Sequence, residues 1–339
     1  MLTMKHNRPH AYYSAGFSLI ELMLAMLIGL IIMSGVMSLY LTTRDTQRSS
    51  EDQLALLGDA RFAIETIGFD LRHAGVWGEL NEWKMIACHK DSELPCNDNM
   101  PAATADCSTS EYINFKAPLS GSDGVNPFAS TCATKSYKAG TDVLGVRYAD
   151  SNRILTASLS SNVAYVRSNI VNGQVFFGST LPASDLYKWN NNATTHNHLL
   201  VSRAYYVSTY TNSPGDGLPS LHRVSLEAGP LMNDEMLLPG VEDFQLEFGI
   251  DTDKDMQVNT YVKASNVPDW TNGTVQSVKI WVLVRSRRVD RDNISAAQTF
   301  DIAGATVTTP NDGYRRMLVS SVIKLRNMAR VDLKAAGGA

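Results

Sequence analysis

A chain of 339 residues, 44% hydrophobic and 19% charged, is long enough for one large or two ordinary domains and too apolar to be disordered. Its net charge of -4 implies no basic patch, so nucleic-acid binding has no support. No internal repeat of fixed period is visible, and a purely fibrous protein is excluded.

Residues 1–16 carry Lys5 and Arg8 and no acid, which keeps them cytoplasmic by the positive-inside rule. Residues 17–41 follow as F-S-L-I-E-L-M-L-A-M-L-I-G-L-I-I-M-S-G-V-M-S-L-Y-L, longer than the roughly 20 apolar residues needed to cross a bilayer. The one charge in that run is Glu21. A carboxylate in hydrocarbon costs several kcal/mol, so it needs a partner or a purpose, and a cut after Gly16 would supply one in the new α-amine of Phe17. No A-x-A site follows Leu41, so the apolar segment is expected to stay as an anchor rather than leave as a secretory peptide.

The helical pattern continues over 42–75 but becomes one-sided. Leu54, Leu57, Ala60, Ile64, Ile67 and Leu71 recur at steps of three and four, along one face. Arg48 with Asp52 and Arg61 with Glu65, each at i, i+4, read as a solvated face. Gly75 after a basic last turn predicts the stop. The whole helix would run some 85 Å at about 1.5 Å per residue. Gly29 and the Ser34-Gly35 pair are its weak points in the membrane half.

Residues 76–140 shift to Cys, Asn, Asp, Ser, Thr and Pro, and predict a long loop region. All four cysteines, Cys88, Cys96, Cys107 and Cys132, fall in it, which suits an oxidising compartment and two disulfides. Three connectivities are open; Cys88 with Cys96 and Cys107 with Cys132 close the shorter loops. The Cys88-His89 pair reads as part of a disulfide framework rather than a reactive thiol.

Over 141–330 strand signals take over: D-V-L-G-V-R-Y, V-A-Y-V-R, I-V-N-G-Q-V-F-F, L-L-V-S-R-A-Y-Y-V-S-T-Y, L-H-R-V-S-L-E, V-E-D-F-Q-L-E-F-G-I, V-Q-S-V-K-I-W-V-L-V-R-S-R and Y-R-R-M-L-V-S-S-V-I-K-L-R. Asp216-Gly217 predicts a hairpin turn. Linkers long enough for crossover helices are scarce, so a mainly antiparallel sheet is expected, with V-Q-S-V-K-I-W-V-L-V as a central strand. Residues 331–339 read as a tail. The fold class is α+β.

Asp251, Asp253 and Asp255 form D-T-D-K-D, the alternating carboxylates of a hard-cation loop for which calcium is the natural ion. Met256 stands at the EF-hand glycine position and Val262 at its bidentate glutamate, so a different calcium loop and a plain polar turn are the two readings. His196 and His198 lack a nearby acid or cysteine cluster and read as a surface loop. The sequence contains no G-x-S-x-G, H-E-x-x-H, phosphate loop or dinucleotide fingerprint, so no catalytic residue is assigned and an enzyme is not expected.

Gly16/Phe17-Ser18-Leu19-Ile20-Glu21 resembles the type IV prepilin cleavage motif, and E-L-M-L-A-M-L-I-G-L, D-L-R-H-A-G-V-W-G and G-V-E-D-F-Q-L-E-F-G-I-D-T-D resemble the PilW group of minor pilins. The resemblance implies a pilin-like fold, a long helix packed on a β-rich head; the proline found partway down this helix in many major pilins is absent here. It implies cleavage after Gly16, N-methylation of Phe17 and an assembly role for Glu21, with no cofactor required. Loss of Lys5 and Arg8 would leave 28 basic against 34 acidic residues, a charge of -6. Implied partners are a prepilin peptidase, an inner-membrane assembly platform, other minor pilins, the major pilin and a large tip adhesin. The implied role is to prime a type IV pilus and sit near its tip, moving from the bacterial inner membrane, head in the periplasm, to the cell surface. A minor pseudopilin of a type II secretion system shares these motifs. A membrane-anchored periplasmic module binding through calcium is the alternative of another class.

Overall fold

The computed structural model describes residues 16–80, 83–87, 117–127, 136–182, 194–229, 231–270, 273–289 and 297–328. The four cysteines and Trp189 lie outside these residues, as does the Cys88-His89 pair.

One helix, α1 (Leu19–His73), takes up the N-terminal region. Contacts divide the chain into two units, 1–53 and 54–339. From Leu19 to Leu41 the helix surface is apolar on every side apart from Glu21, and none of its most apolar 18-residue window is buried. Past Leu41 the hydroxyls turn inward on their own backbone: Thr42, Thr43, Thr46 and Ser50 each donate to the carbonyl four residues back, at 2.8–3.0 Å. Such back-bonding satisfies polar side chains locally, as suits a helix passing from lipid to water.

In the second unit the helix buries Leu56, Ala60, Ala63, Ile64, Ile67 and Leu71. This corrects the expected stripe at its start, because Leu54 points to solvent and Leu56 takes the inward position. The helix ends where expected. Gly75 adopts φ +80°, which costs an L-residue the clash of its Cβ with the carbonyl, and its N–H bonds to the Arg147 carbonyl at 3.2 Å. Asn327 donates to the carbonyls of Arg72 (2.9 Å) and Ala74 (3.4 Å), which have no helical partner of their own.

The strands are β1 (Ile86–Ala87), β2 (Leu119–Ser122), β3 (Val143–Ala149), β4 (Ala164–Ser168), β5 (Gly173–Phe177), β6 (His196–Ser208), β7 (Ser220–Glu227), β8 (Leu231–Pro239), β9 (Val241–Ile250), β10 (Thr260–Val262), β11 (Val275–Val289), β12 (Thr299–Ile302), β13 (Ala305–Thr308) and β14 (Tyr314–Lys324). A larger sheet runs β1-β5-β4-β6-β3-β2, with β7 added to β6 and β8 to β7; a second runs β10-β9-β11-β14; β12 and β13 form a separate hairpin. Among the described residues every strand pairing is antiparallel except β1 with β5. The fold is therefore the expected α+β arrangement of a long helix and a mainly antiparallel head, and β11 is central in its sheet.

The main core joins the inward residues of both sheets to the helix. Ile64, Ile67 and Leu71 share it with Tyr148 and Tyr205 of the larger sheet and with Phe244, Phe248, Val278, Ile280 and Val282 of the smaller. A second core holds Trp77, Leu80, Trp83 and Ile86 with Val166, Val175 and Phe177. Within the described parts of 76–140 this second core replaces the expected loop. Its two tryptophans and Ile86 bury a short-range anchor, and Leu119–Ser122 joins β3 as a strand. His196 and His198, expected in a surface loop, begin β6; His198 is buried and its Nδ1 lies 2.8 Å from the Asp150 carbonyl.

Candidate assembly site

The residues at the head of α1 form a capped helix start. Ser18 precedes the first helical residue, and its Oγ accepts the N–H of Glu21 at 3.2 Å. Serine before the helix and glutamate three residues on is the S-x-x-E capping pattern, and an acid in the first turn also meets the positive end of the helix dipole. Sequence reasoning read Glu21 only as a charge awaiting an amine; its spacing from Ser18 was the missed signal. Phe17 and Glu21 are both exposed.

At the other end of the helix a buried carboxylate fastens it to the head. Asp70, 1% exposed, lies on the inward face. Its Oδ1 accepts the Tyr148 hydroxyl at 2.8 Å and an Arg203 N–H at 2.7 Å, and its Oδ2 accepts the Tyr205 hydroxyl. Three donors from β3 and β6 thus converge on one helical side chain. Burial, and then the adjacent Asp70 charge, pushes both tyrosine hydroxyls well above the usual phenol range, so they remain protonated donors. Asp70 went unremarked in the sequence because one acid among apolar positions looks like an interruption; its place at the step between Ile67 and Leu71 was the available signal.

A second buried carboxylate sits where the sheets meet. Asp142 accepts the Gly124 N–H at 2.9 Å and the Leu246 N–H at 2.7 Å, and burial nonetheless pushes it up to about 6.

Asp251, Asp253 and Asp255 lie together, with one carboxylate oxygen from each within 4.8 Å of the others. Asp251 is already engaged: its two oxygens accept the N–H groups of Lys254 (2.6 Å) and Met256 (2.8 Å). Although desolvation opposes it, those amides hold the Asp251 carboxyl below the usual carboxylate range. Lys254 and Met256 both take positive φ, 66° and 65°, which costs roughly 1–2 kcal/mol each for an L-residue. The amide bonds from Asp251 offset that strain.

A serine–histidine–aspartate line also occurs. Ser220 Oγ lies 2.9 Å from His222 Nε2, and His222 Nδ1 lies 2.8 Å from an Asp234 oxygen whose carboxylate also accepts the Tyr206 hydroxyl. Ser220 is wholly buried and donates to the Tyr210 carbonyl at 2.6 Å. A nucleophile so enclosed reaches no substrate, and the line acts as a polar brace across β6, β7 and β8.

Residues 12–37 match the prokaryotic N-terminal methylation motif, and residues 204–327 match the family model of type IV pilus-assembly protein W. A type IV-like pilin from Thermus thermophilus is similar at 13% identity and a TM-score of 0.26, over 57% of this chain and 83% of that one. No curated protein matches the chain. The methylation motif thus stands at the head of a membrane-length helix, and a mainly antiparallel head follows it. The region similar to the type IV pilus-assembly protein W family begins inside β6 and runs through β14.

Proposed function

We propose that this chain is a minor pilin, cut after Gly16 and methylated on Phe17, that helps prime a type IV pilus and takes a place near its tip. The observation that carries this reading is the two-sided design of α1. From Leu19 to Leu41 it is apolar on nearly every side and unburied, so a helix leaving lipid must cover that surface with other helices; from Leu56 to Leu71 it is fixed into a folded head. In such a bundle Glu21 would be neutralised by an N-terminal amine, because an unpaired carboxylate in an apolar interior is strongly destabilising. Other pilins are the partners this surface suits.

The mature N-terminus, read by mass spectrometry, tests the processing step. Methylated Phe17 supports it, and an intact Met1 or a cut after Leu41 overturns it. Gene deletion then separates machines: loss of surface pili and twitching with normal exoprotein release supports the pilus, and the reverse assigns a type II secretion system. The calcium-dependent binding module draws its support from the Asp251, Asp253 and Asp255 cluster.

A further inference from the structure

The outward face of the β10-β9-β11-β14 sheet is covered over one half and open over the other. The β12-β13 hairpin lays Phe300, Ile302 and Val307 over Trp281, Leu283 and Leu318. Beyond Trp281 the covering stops. Tyr261 of β10 crosses the bare backbone of Gly249, where an added Cβ would meet Ser277 Oγ at 2.3 Å, and reaches Ser277 Oγ with its hydroxyl at 3.1 Å. The result is a groove of about 280 Å³ over Ser277, walled by Met256 and Tyr261 on one side and Val322 and Lys324 on the other. Met256, Tyr261 and Val322 are 47%, 38% and 51% exposed, an apolar surface with no cover of its own.

Two further observations mark the groove as an incomplete contact. Gln276 lines it at 3% exposure, and its side-chain oxygen has no hydrogen-bond partner. The charges around it are arranged unevenly. The loop after β9 exposes Asp253 and Asp255 around Lys254, while β11 and β14 present Lys279 and Lys324 on one face, Lys279 in register with Glu247 of β9. Among the described residues neither ammonium has an ion pair, and Lys279 rests on the Trp281 ring at 4.4 Å. A face that sets an acidic loop and two lysines around an apolar groove can match itself after a two-fold rotation.

We propose that this groove is a self-association site, in which the loop Asp253–Met256 of a second copy packs Met256 against Val322 while Asp253 and Asp255 meet Lys279 and Lys324. The contact is reciprocal. It is small beside the 1,200–2,000 Å² of a standard interface, so it is weak between free molecules and effective between chains held in one membrane, where tethering raises the local concentration. It does not depend on the pilus reading, since it concerns only the head.

The test is photocrosslinking of the full-length chain in bacterial membranes, with p-benzoylphenylalanine at Val322. The expected product is a homodimer whose adduct maps to residues 253–257. Lys324→Glu should reduce its yield several-fold, and Asp255→Lys in the same chain should restore it. Absence of a homodimer, an adduct mapping elsewhere, capture of a different protein, or a yield indifferent to the charge swap overturns the proposal. Membrane level and Phe17 methylation are read in the same samples, so failure of the self-contact is distinguishable from failure of processing.

Discussion

The two stretches of α1 differ in what surrounds them far more than in local geometry. In the first unit a leucine or isoleucine faces outward whichever way it points; in the second the same residue types occupy an inward arc, with Asp70 among them. Helix propensity serves both, so the difference lies in partners: lipid or other helices for the first, a folded core for the second. One helix therefore carries two kinds of side-chain sensitivity.

The sharpest way to break that comparison is at Asp70. Asp70→Ala leaves two buried hydroxyls and Arg203 without their acceptor, and should destabilise the head by about 3–5 kcal/mol, read as a fall in the urea midpoint of full-length protein in detergent. A change under 1 kcal/mol would show that the network is replaceable by water. Next in size, Ile67→Ala should cost roughly 2–4 kcal/mol through the cavity it opens, while Ile31→Ala should leave the head unchanged in the same assay. Equal effects would erase the distinction between the stretches.

Glu21 sharpens the comparison at its membrane end. Gln can stand in for Glu in a capping box but carries no charge to meet an amine. Glu21→Gln should insert normally and fail to enter fibres, as Glu21→Ala should; efficient incorporation of the glutamine variant would make the cap, rather than the charge, the function of this residue.

The pH response of the head is expected to be smaller than the loss at Asp70. Asp142 has a folded pKa of about 6 against about 3.9 unfolded, so its contribution is fully present below the unfolded value and is lost as pH rises through 6. The difference is on the order of 3 kcal/mol, and Asp142→Asn should remove the pH-dependent part, leaving a constant offset for one lost amide bond. Parallel stability curves for the two proteins between pH 4 and 7 would refute the assignment. The smallest effect concerns Asp251, Asp253 and Asp255: a turn closed by its own amides should melt at the same temperature with or without a calcium chelator, whereas a chelator-dependent fall abolished by Asp253→Ala would assign calcium.

Much of this architecture was legible in the sequence for reasons specific to each element. The helix could be read from Phe17 to Gly75 because a membrane-length apolar run and a one-sided stripe follow without a break. The β-branched and aromatic runs of β3, β6, β9, β11 and β14 were equally plain. Strand β8, L-M-N-D-E-M-L-L-P, was not, since its three consecutive polar residues break the alternation; its partner β7 supplies the ordering. The β12-β13 hairpin turns on Ala303 and Gly304 at φ 50° and 75°, a pair with no Asn or Asp to announce it. Asp70 could be placed on a face from its spacing, but its donors lie 78 and 135 residues along the chain at Tyr148 and Tyr205, and only the tertiary fold joins them.

Ser18 has a consequence for how such a chain could be processed. A cut after Gly16 would leave it the second residue of the product, so the trimmed helix would keep its own first-turn acceptor and need nothing from the leader to hold its end closed. The peptidase could then remove sixteen residues without unravelling the seventeenth onward, and the product would be ready for its neighbours as soon as it is made.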